Sequence, residues 1–170
     1  MHLEIPQVFV GLLADHPHLV RAVAEMRWRE WGEPSQVGLS GLDGFVEITM
    51  REAGREQLPI TWVAVEPAGQ AVGAAALVPI SEIEEKPEYA PTLGGVIVDP
   101  AWRGLGAGRR LLETIEQWAV EQGIRRMWVV AGGEAVRFYK ACGWVVVEER
   151  TVTWPNVDVE EKVCILSRTI

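Results

Sequence analysis

The sequence is poor in cysteine and in positive charge. Its 170 residues include only two cysteines, Cys142 and Cys164, too few for a disulfide framework and without the spacing of a metal site. The three histidines, His2, His16 and His18, have no ligand spacing with one another or with a cysteine, so we expect no metal. Lysine and arginine together number 16, against 24 aspartates and glutamates, which gives a formal net charge of -8. Because phosphate binding needs a basic surface, nucleic acid is not expected as a partner.

Long hydrophobic runs are also absent from the N-terminal segment. The apolar stretch at residues 8–14 is far too short to span a membrane, and no lysine or arginine precedes it. We therefore interpret it as part of the core and expect no membrane partner. The chain shows no repeat, low-complexity tract or long linker. These features predict one reduced, cytoplasmic domain over residues 1–170.

The first third of the sequence has a helical hydrophobic pattern. One helix is predicted over residues 15–31, with Asp15 as its cap, and another over residues 40–54. Ser40 and Asp43 have the spacing of a capping box at the start of the second helix.

After residue 55 the pattern favours strands alternating with helices. Strands are predicted at residues 60–65, 71–78, 93–98, 127–130, 144–148 and 162–166. A long helix is predicted to begin at Gly106 or Gly108 and to end at Gly123, and a short one covers residues 134–141. This order predicts a mixed α/β sheet with a strand-loop-helix-strand unit at its centre.

The loop of that central unit is rich in glycine. Free backbone N–H groups in the first turn of a helix, together with the helix dipole, favour an anion, and glycine lets the chain approach it closely. Arg103, Arg109 and Arg110 are expected to add positive charge beside the loop. The arrangement is typical of a phosphate-binding site.

The spacing of the glycines excludes two common phosphate loops. A dinucleotide fingerprint counted from Gly104 would need a third glycine where Arg109 stands, which disfavours a nucleotide-binding oxidoreductase. A Walker loop would need lysine and serine or threonine after Gly108, which is followed by two arginines. What remains is Arg-x-x-Gly-x-Gly, from Arg103 to Gly108.

Residues 98–108, Val-Asp-Pro-Ala-Trp-Arg-Gly-Leu-Gly-Ala-Gly, resemble the acyl-CoA-binding motif of the GNAT superfamily of N-acyltransferases. The resemblance continues through residues 109–123 and through residues 134–144, where a tyrosine precedes Gly-Trp by four residues, as in that family. The matching stretch is about a third of the chain. It implies an α/β (α+β) fold with a mixed, mostly antiparallel twisted sheet and flanking helices.

The resemblance also implies the activity and the cofactor site. It implies an N-acetyltransferase that moves the acetyl group of acetyl-CoA to an amine by direct attack in a ternary complex. The backbone of Val96, Ile97 and Val98 is expected to bind the pantetheine arm, on a strand splayed from its neighbour near Gly94 and Gly95. The pyrophosphate contacts are expected on Arg103, Gly104, Leu105, Gly106, Ala107, Gly108 and Arg109.

Tyr139 corresponds to the family's general acid. A phenol with a pKa of about 10 can donate to a thiolate whose acid has a pKa of about 8.5, if the surroundings narrow that gap. Taken without the motif, Tyr139 would be interpreted as packing beside Phe138.

The general base is left open by the sequence. The strand at residues 93–98 has no carboxylate, and Asp99, before a proline, is expected to cap a turn. The acidic loop that follows residue 80 offers Glu82, Glu84, Glu85 and Glu88. For any single one of them a solvated position is favoured, and the substrate amine could also arrive already deprotonated.

Two further points concern the acceptor and the cofactor arm. Trp28 and Trp31 could line an acceptor pocket, with one of the two expected to be buried. Many relatives have an asparagine seven residues before the tyrosine, where this chain has Gly132, so that contact is absent or made by backbone. The acceptor could be a polyamine, amino acid, antibiotic amine, peptide N-terminus or lysine, with the acidic loop favouring a cation.

The sequence leaves one alternative function and one question of assembly. The alternative is a catalytically weak acyl-CoA-binding sensor or interaction module of the same fold. A homodimer is compatible with the sequence.

Overall fold

Seven strands form one sheet in the computed structural model, which describes residues 7–32, 41–153 and 160–170. The strands are β1 (Phe9–Leu12), β2 (Ile60–Val65), β3 (Ala71–Val78), β4 (Thr92–Val98), β5 (Arg126–Ala131), β6 (Val145–Thr153) and β7 (Glu160–Thr169). Their order is β1-β2-β3-β4-β5-β7-β6, and every neighbouring pair is antiparallel except β4 with β5. The predicted mixed, mostly antiparallel sheet is confirmed.

The described residues also form helices, which either cover the sheet directly or pack against a helix that does. They are α1 (Val20–Arg27), which continues as a π-helical turn (Trp28–Gly32), α2 (Gly41–Arg51), α3 (Ala107–Glu121) and α4 (Ala135–Ala141). The predicted capping box depends on Ser40, which lies outside the described residues.

The start of the first helix was predicted too early. Two short 3-10 turns, Leu13–Asp15 and Pro17–Leu19, precede α1, and no side chain caps them. The carboxylate of Asp15 instead forms an ion pair with Arg55, so it is not available as a helix cap.

Strand β1 was not identified from the sequence, because it has four residues and lies at the sheet edge. The expectation that the surrounding segment belongs to the core holds for Val8 and Leu13, which are buried. Phe9, by contrast, is exposed.

Both faces of the sheet centre are covered. Helix α3 buries Leu111, Leu112, Ile115 and Ala119, the predicted apolar stripe, in the cluster that contains Trp62. Helix α1 buries Val23 and Met26 on the opposite face, against Val63 and Ile97. Since neighbouring residues of a strand point to opposite faces, Trp62 and Val63 join different clusters. This double burial explains the continuous apolar runs in the central strands.

Strands β4 and β5 separate soon after they pair. Their register includes only Thr92 with Trp128 and Leu93 with Val129. On its other side, β4 has a bulge: Ala74 faces Ile97 and Ala76 faces Gly94, so two residues of β4 oppose one of β3. The irregularity predicted near Gly94 and Gly95 is present, and it helps to open a wedge in the middle of the sheet.

Candidate functional site

A cavity of about 1100 Å³ occupies the wedge between β4 and β5. Its walls include β4 from Leu93 onward, the glycine loop, the first turn of α3, the end of β5 and part of α4. The lining includes the predicted residues Val96, Ile97, Val98, Arg103, Gly104, Gly106, Ala107, Gly108, Arg109 and Tyr139. Leu105 is not among them and its side chain is 38% exposed, so contact with its backbone stays a prediction.

The glycine loop has the backbone geometry that its sequence demands. Gly104 and Gly106 have positive φ angles of 75° and 89°, which glycine adopts without strain. Gly106 is the N-cap of α3, and no side chain caps the first turn of that helix. The N–H groups of this turn are therefore available to an anion in the cavity.

Gly108 is required for a different reason. A Cβ atom at this position would lie 3.0 Å from Cζ of Phe138 and 3.5 Å from Cγ2 of Val98. The missing side chain lets α3 approach α4 and β4 closely, which positions the helix start over the cavity.

The three arginines near the loop have different surroundings. Arg103 donates from Nε to Val98 O at 3.1 Å and from Nη2 to Glu30 Oε2 at 3.2 Å. Arg109 lines the cavity, but its Nη2 donates to Ala141 O at 3.0 Å. The expectation for Arg110 is wrong: a step of one residue turns a helix by about 100°, and this side chain lines a separate shallow groove.

Tyr139 is 5% exposed and lines the cavity from α4. Its ring packs edge to face against Phe138 and Trp144, with centroid distances of 5.2 Å and 5.7 Å. Burial, together with the nearby Glu82 and Cys142, raises the pKa of Tyr139 above its ordinary value. The phenol is therefore protonated at neutral pH. The condition set for a general acid, that the surroundings narrow the gap to the thiol pKa, is not met on the tyrosine side, because burial raises the pKa of the phenol.

Glu82 lines the cavity as well, although sequence reasoning favoured a solvated position for it. The side chain of Glu82 is exposed, as are those of Glu84, Glu85 and Glu88, but it opens into the cavity, whose walls lie close to its carboxylate. Burial of the carboxylate by these walls, with the Glu52 carboxylate nearby, raises the pKa of Glu82 to about 7. A carboxylate with such a pKa can exchange a proton at neutral pH, as a general base must.

The local sequence explains why Glu82 alone among the candidate glutamates enters the cavity. Ser81 Oγ accepts a hydrogen bond from Ile83 N at 3.0 Å, and the buried Ile83 anchors the loop against Trp128. Glu84, Glu85 and Glu88 are exposed, as expected. An isolated isoleucine inside an acidic loop was the signal in the sequence.

Asp99 has the structural role predicted for it. Its Oδ1 accepts a hydrogen bond from Ala101 N at 2.9 Å and caps the short turn Pro100–Trp102. The carboxylate that could act as a base therefore comes from the β3–β4 loop, not from the end of β4.

Of the two tryptophans expected near an acceptor pocket, one lines the cavity, but neither is buried, although burial of one was predicted. Trp31 lines the cavity and is 41% exposed, whereas Trp28 is half-buried and lies against Gly32. Trp102, which sequence reasoning did not single out, also lines the cavity.

Gly132 has a physical reason to be glycine. A Cβ atom there would lie 2.8 Å from Oε1 of Glu161, whose carboxylate takes the space of a larger side chain. Gly132 and Glu161 both line the cavity. Position 132 thus contributes backbone, and a carboxylate from β7 lies beside it.

In residues 7–32, 41–153 and 160–170, no group of three or more histidine, cysteine or acidic side chains could hold a metal ion. Within the same ranges, no helix has both the length and the apolar character needed to cross a bilayer.

Comparisons with known proteins agree with this geometry. A sequence model of the acetyltransferase (GNAT) family matches residues 20–144. No curated protein sequence matches the chain significantly.

The fold is shared with acetyltransferases of known structure. A ribosomal-protein-S5-alanine acetyltransferase from Vibrio fischeri has 18% identity and a TM-score of 0.71, with 96% of each chain covered. An aminoglycoside 6'-N-acetyltransferase complexed with coenzyme A has 15% identity and a TM-score of 0.71, covering 95% of this chain and 96% of its own. A spermidine/spermine N-acetyltransferase from Vibrio cholerae has 14% identity and a TM-score of 0.67, covering 96% of this chain and 92% of its own. Because the family match covers most of the sequence and the fold agrees with it, the chain belongs to the GNAT acetyltransferase family.

Proposed function

We propose that the protein transfers the acetyl group of acetyl-CoA to a cationic amine by direct attack within a ternary complex. The observation that carries the proposal is the cavity itself. Three features line this cavity together. They are the uncapped start of α3, the part of β4 beyond its short pairing with β5, and two groups that could transfer protons, Glu82 and Tyr139.

The cofactor fits the shape and polarity of this cavity. The pyrophosphate would lie at the first turn of α3, where free N–H groups and the helix dipole favour negative charge. The pantetheine arm carries amide groups, which would pair with those backbone groups of Val96, Ile97 and Val98 that bond neither β3 nor, as Val98 O does, Arg103. This arm would extend the sheet in the way a strand does.

The chemistry then needs three polar groups. Glu82 takes a proton from the acceptor ammonium, and the neutral nitrogen attacks the thioester carbonyl carbon. The backbone of β4 stabilises the oxyanion, the C–S bond breaks, and Tyr139 donates to the leaving sulfur. The nitrogen loses a second proton as the amide forms, so the products are the acetylated amine, free CoA and one released proton.

The charge of the cavity favours a cationic acceptor. Four carboxylates line it, against the two arginines Arg103 and Arg109, which lie beside the phosphate-binding loop. The carboxylates belong to Glu30, Glu82, Glu134 and Glu161. A second positive group on the acceptor would be attracted to this lining, and an acidic group would be repelled.

A panel of amines tests the function. We expect free CoA to be released with spermidine or another polyamine, with a kcat/KM at least about tenfold above that for an amino acid with a free carboxylate. Thiol release and an acetyl mass increase on the amine are the measurements. Binding of CoA without release by any amine would favour the sensor alternative, and equal rates with acidic amines would contradict the cationic acceptor.

The glycine loop gives a second prediction. The methyl group of Gly106→Ala would project from the start of α3 into open space, where the pyrophosphate is proposed to bind. We therefore expect acetyl-CoA binding, measured by calorimetry, to be at least about tenfold weaker. Gly69→Ala is the matched control. Gly69 has a similar φ of 93° and similar open space, but lies in the β2–β3 turn away from the cavity.

The two variants share the backbone strain, about 1–3 kcal/mol, so their melting temperatures should fall alike. Acetyl-CoA affinity equal to that of Gly69→Ala in a folded Gly106→Ala protein would remove the phosphate-loop assignment.

A further inference from the structure

Arg27, the last residue of α1, is a buried cation that the proposed reaction does not use. It is 4% exposed, and a charge so deeply buried is costly unless it is well partnered. Nε donates to Gly95 O at 3.1 Å, and Nη1 contacts Thr49 Oγ1 and Glu52 Oε1, each at 3.3 Å. Its Nη2 is buried without a hydrogen-bond partner in the described part of the chain.

The position of this guanidinium is tied to the bulge in β4. Gly95 has a positive φ of 56°, and a Cβ there would lie 2.7 Å from Nε, Cζ and Nη2 of Arg27. The guanidinium therefore fills the space beside the bulge, and its bond to Gly95 O holds the bulge residue in place. The residues after the bulge, Val96, Ile97 and Val98, belong to the proposed cofactor-binding edge.

The proposed base lies beside the same bulge: Glu82 Oε1 is 3.7 Å from the position of a Cβ atom on Gly94, the neighbour of the glycine that Arg27 contacts. Glu52, just after α2, is partly buried. That burial raises the pKa of Glu52, while the nearby Arg27 opposes the change. The Glu52 carboxylate in turn adds to the effect of burial on Glu82. Tyr139 of α4 also interacts electrostatically with Glu82, and Glu161 of β7 lines the same cavity.

We propose that Arg27, Glu52 and Thr49 form a positioning cluster that holds the β4 bulge at Gly95 and places a carboxylate behind Glu82. Through this cluster, α1 and α2 fix the position of the β4 backbone that is proposed to bind the cofactor. They also influence how readily Glu82 takes up a proton. The inference rests on the proposed function only for the role of Glu82, and none of the three residues of the cluster is among the described residues that line the cavity.

Glu52→Gln tests whether the negative charge of Glu52 raises the pKa of Glu82. Glutamine keeps an oxygen that can accept from Arg27 Nη1 but removes the negative charge, so the acid limb of the kcat/KM profile should move to lower pH by about half a unit or more. Glu47→Gln is the control, because Glu47 is on α2, exposed and paired with Arg51 at 2.7 Å. That variant should keep the limb of the parent protein.

A carboxyl NMR titration of Glu82 gives the same readout without turnover. A lower pKa of Glu82 in Glu52→Gln, with no such change in Glu47→Gln, would support the inference. It would do so even if no amine were acetylated, because the lack of acetylation would contradict only the proposed function. An unchanged or higher pKa of Glu82 in Glu52→Gln would overturn it.

Arg27→Lys and Thr49→Val test whether the cluster holds the β4 bulge at Gly95 in place. Lysine keeps the charge but loses the fork that reaches Gly95 O and Thr49 together. We expect acetyl-CoA to bind about tenfold more weakly to Arg27→Lys, with KM for acetyl-CoA affected more than kcat. If Arg27→Lys does not fold, Thr49→Val removes one hydroxyl contact and should weaken acetyl-CoA binding in the same direction. Unchanged affinity in a folded Arg27→Lys protein, or in Thr49→Val when it is the variant measured, would refute the anchoring of the bulge.

Discussion

Glu82→Gln is expected to lower turnover by about a hundredfold to ten-thousandfold at neutral pH, the range typical of a lost general base. In the parent protein the active, ionised form of Glu82 appears above its pKa of about 7. Activity should therefore rise as the pH passes through about 7, and this limb should disappear in the variant. Initial rates of CoA release between pH 5.5 and about 9 measure both effects.

The control for this variant is Glu84→Gln, in the same loop, because Glu84 is also exposed but does not line the cavity. It should retain the turnover and the pH profile of the parent protein. Acetyl-CoA affinity should be similar in all three proteins, because Glu82 is proposed to act on the amine. Parent-like turnover in Glu82→Gln at pH 7 would mean that the acceptor arrives already deprotonated.

Tyr139→Phe is expected to lower kcat by about tenfold to a hundredfold. The change keeps the ring packed against Phe138 and Trp144 but removes the donor to a developing thiolate, a hydrogen bond to a charged group worth about 1.5–3 kcal/mol. Because the pKa of Tyr139 is raised, any loss of activity through ionised phenol should occur above its ordinary value of about 10. Stopped-flow measurement of CoA release gives kcat, and calorimetry gives acetyl-CoA affinity, which should hold.

Tyr89→Phe provides the matched control. The sequence has two tyrosines, and the ring of Tyr89 stacks on Trp128 at a centroid distance of 4.1 Å instead of lining the cavity. The control should turn over like the parent protein. A Tyr139→Phe variant with the same turnover would show that the sulfur takes its proton from water or substrate.

Features that depend on nearby residues could be predicted from the sequence. Gly104 and Gly106 need positive φ angles, and the apolar stripe of α3 repeats at the helical period, so the loop and its helix were identified. Tyr139 was identified through its motif. Each of these signals is contained within about a dozen consecutive residues.

Features that depend on distant residues could not be predicted in this way. Glu82 resembles its three solvated neighbours until Ile83 is placed in a pocket formed by Trp128 and Ile165. Arg27 has the pattern of one more polar residue on an amphipathic helix until the bulge of β4 is placed beside it. In both cases contacts with strands more than 40 residues away in the sequence fix the position of the side chain.

The position of Glu82 at the cavity wall has a consequence for folding stability. In the unfolded chain this carboxyl has an ordinary pKa of about 4.5, and in the folded protein its pKa is about 7. Between these values the folded state binds more protons, so this residue makes the free energy of unfolding fall as the pH rises. Glu82 therefore stabilises the fold least above about pH 7. A cation bound next to its carboxylate would offset that loss, so binding of a cationic amine should raise the melting temperature more at high pH than at low pH.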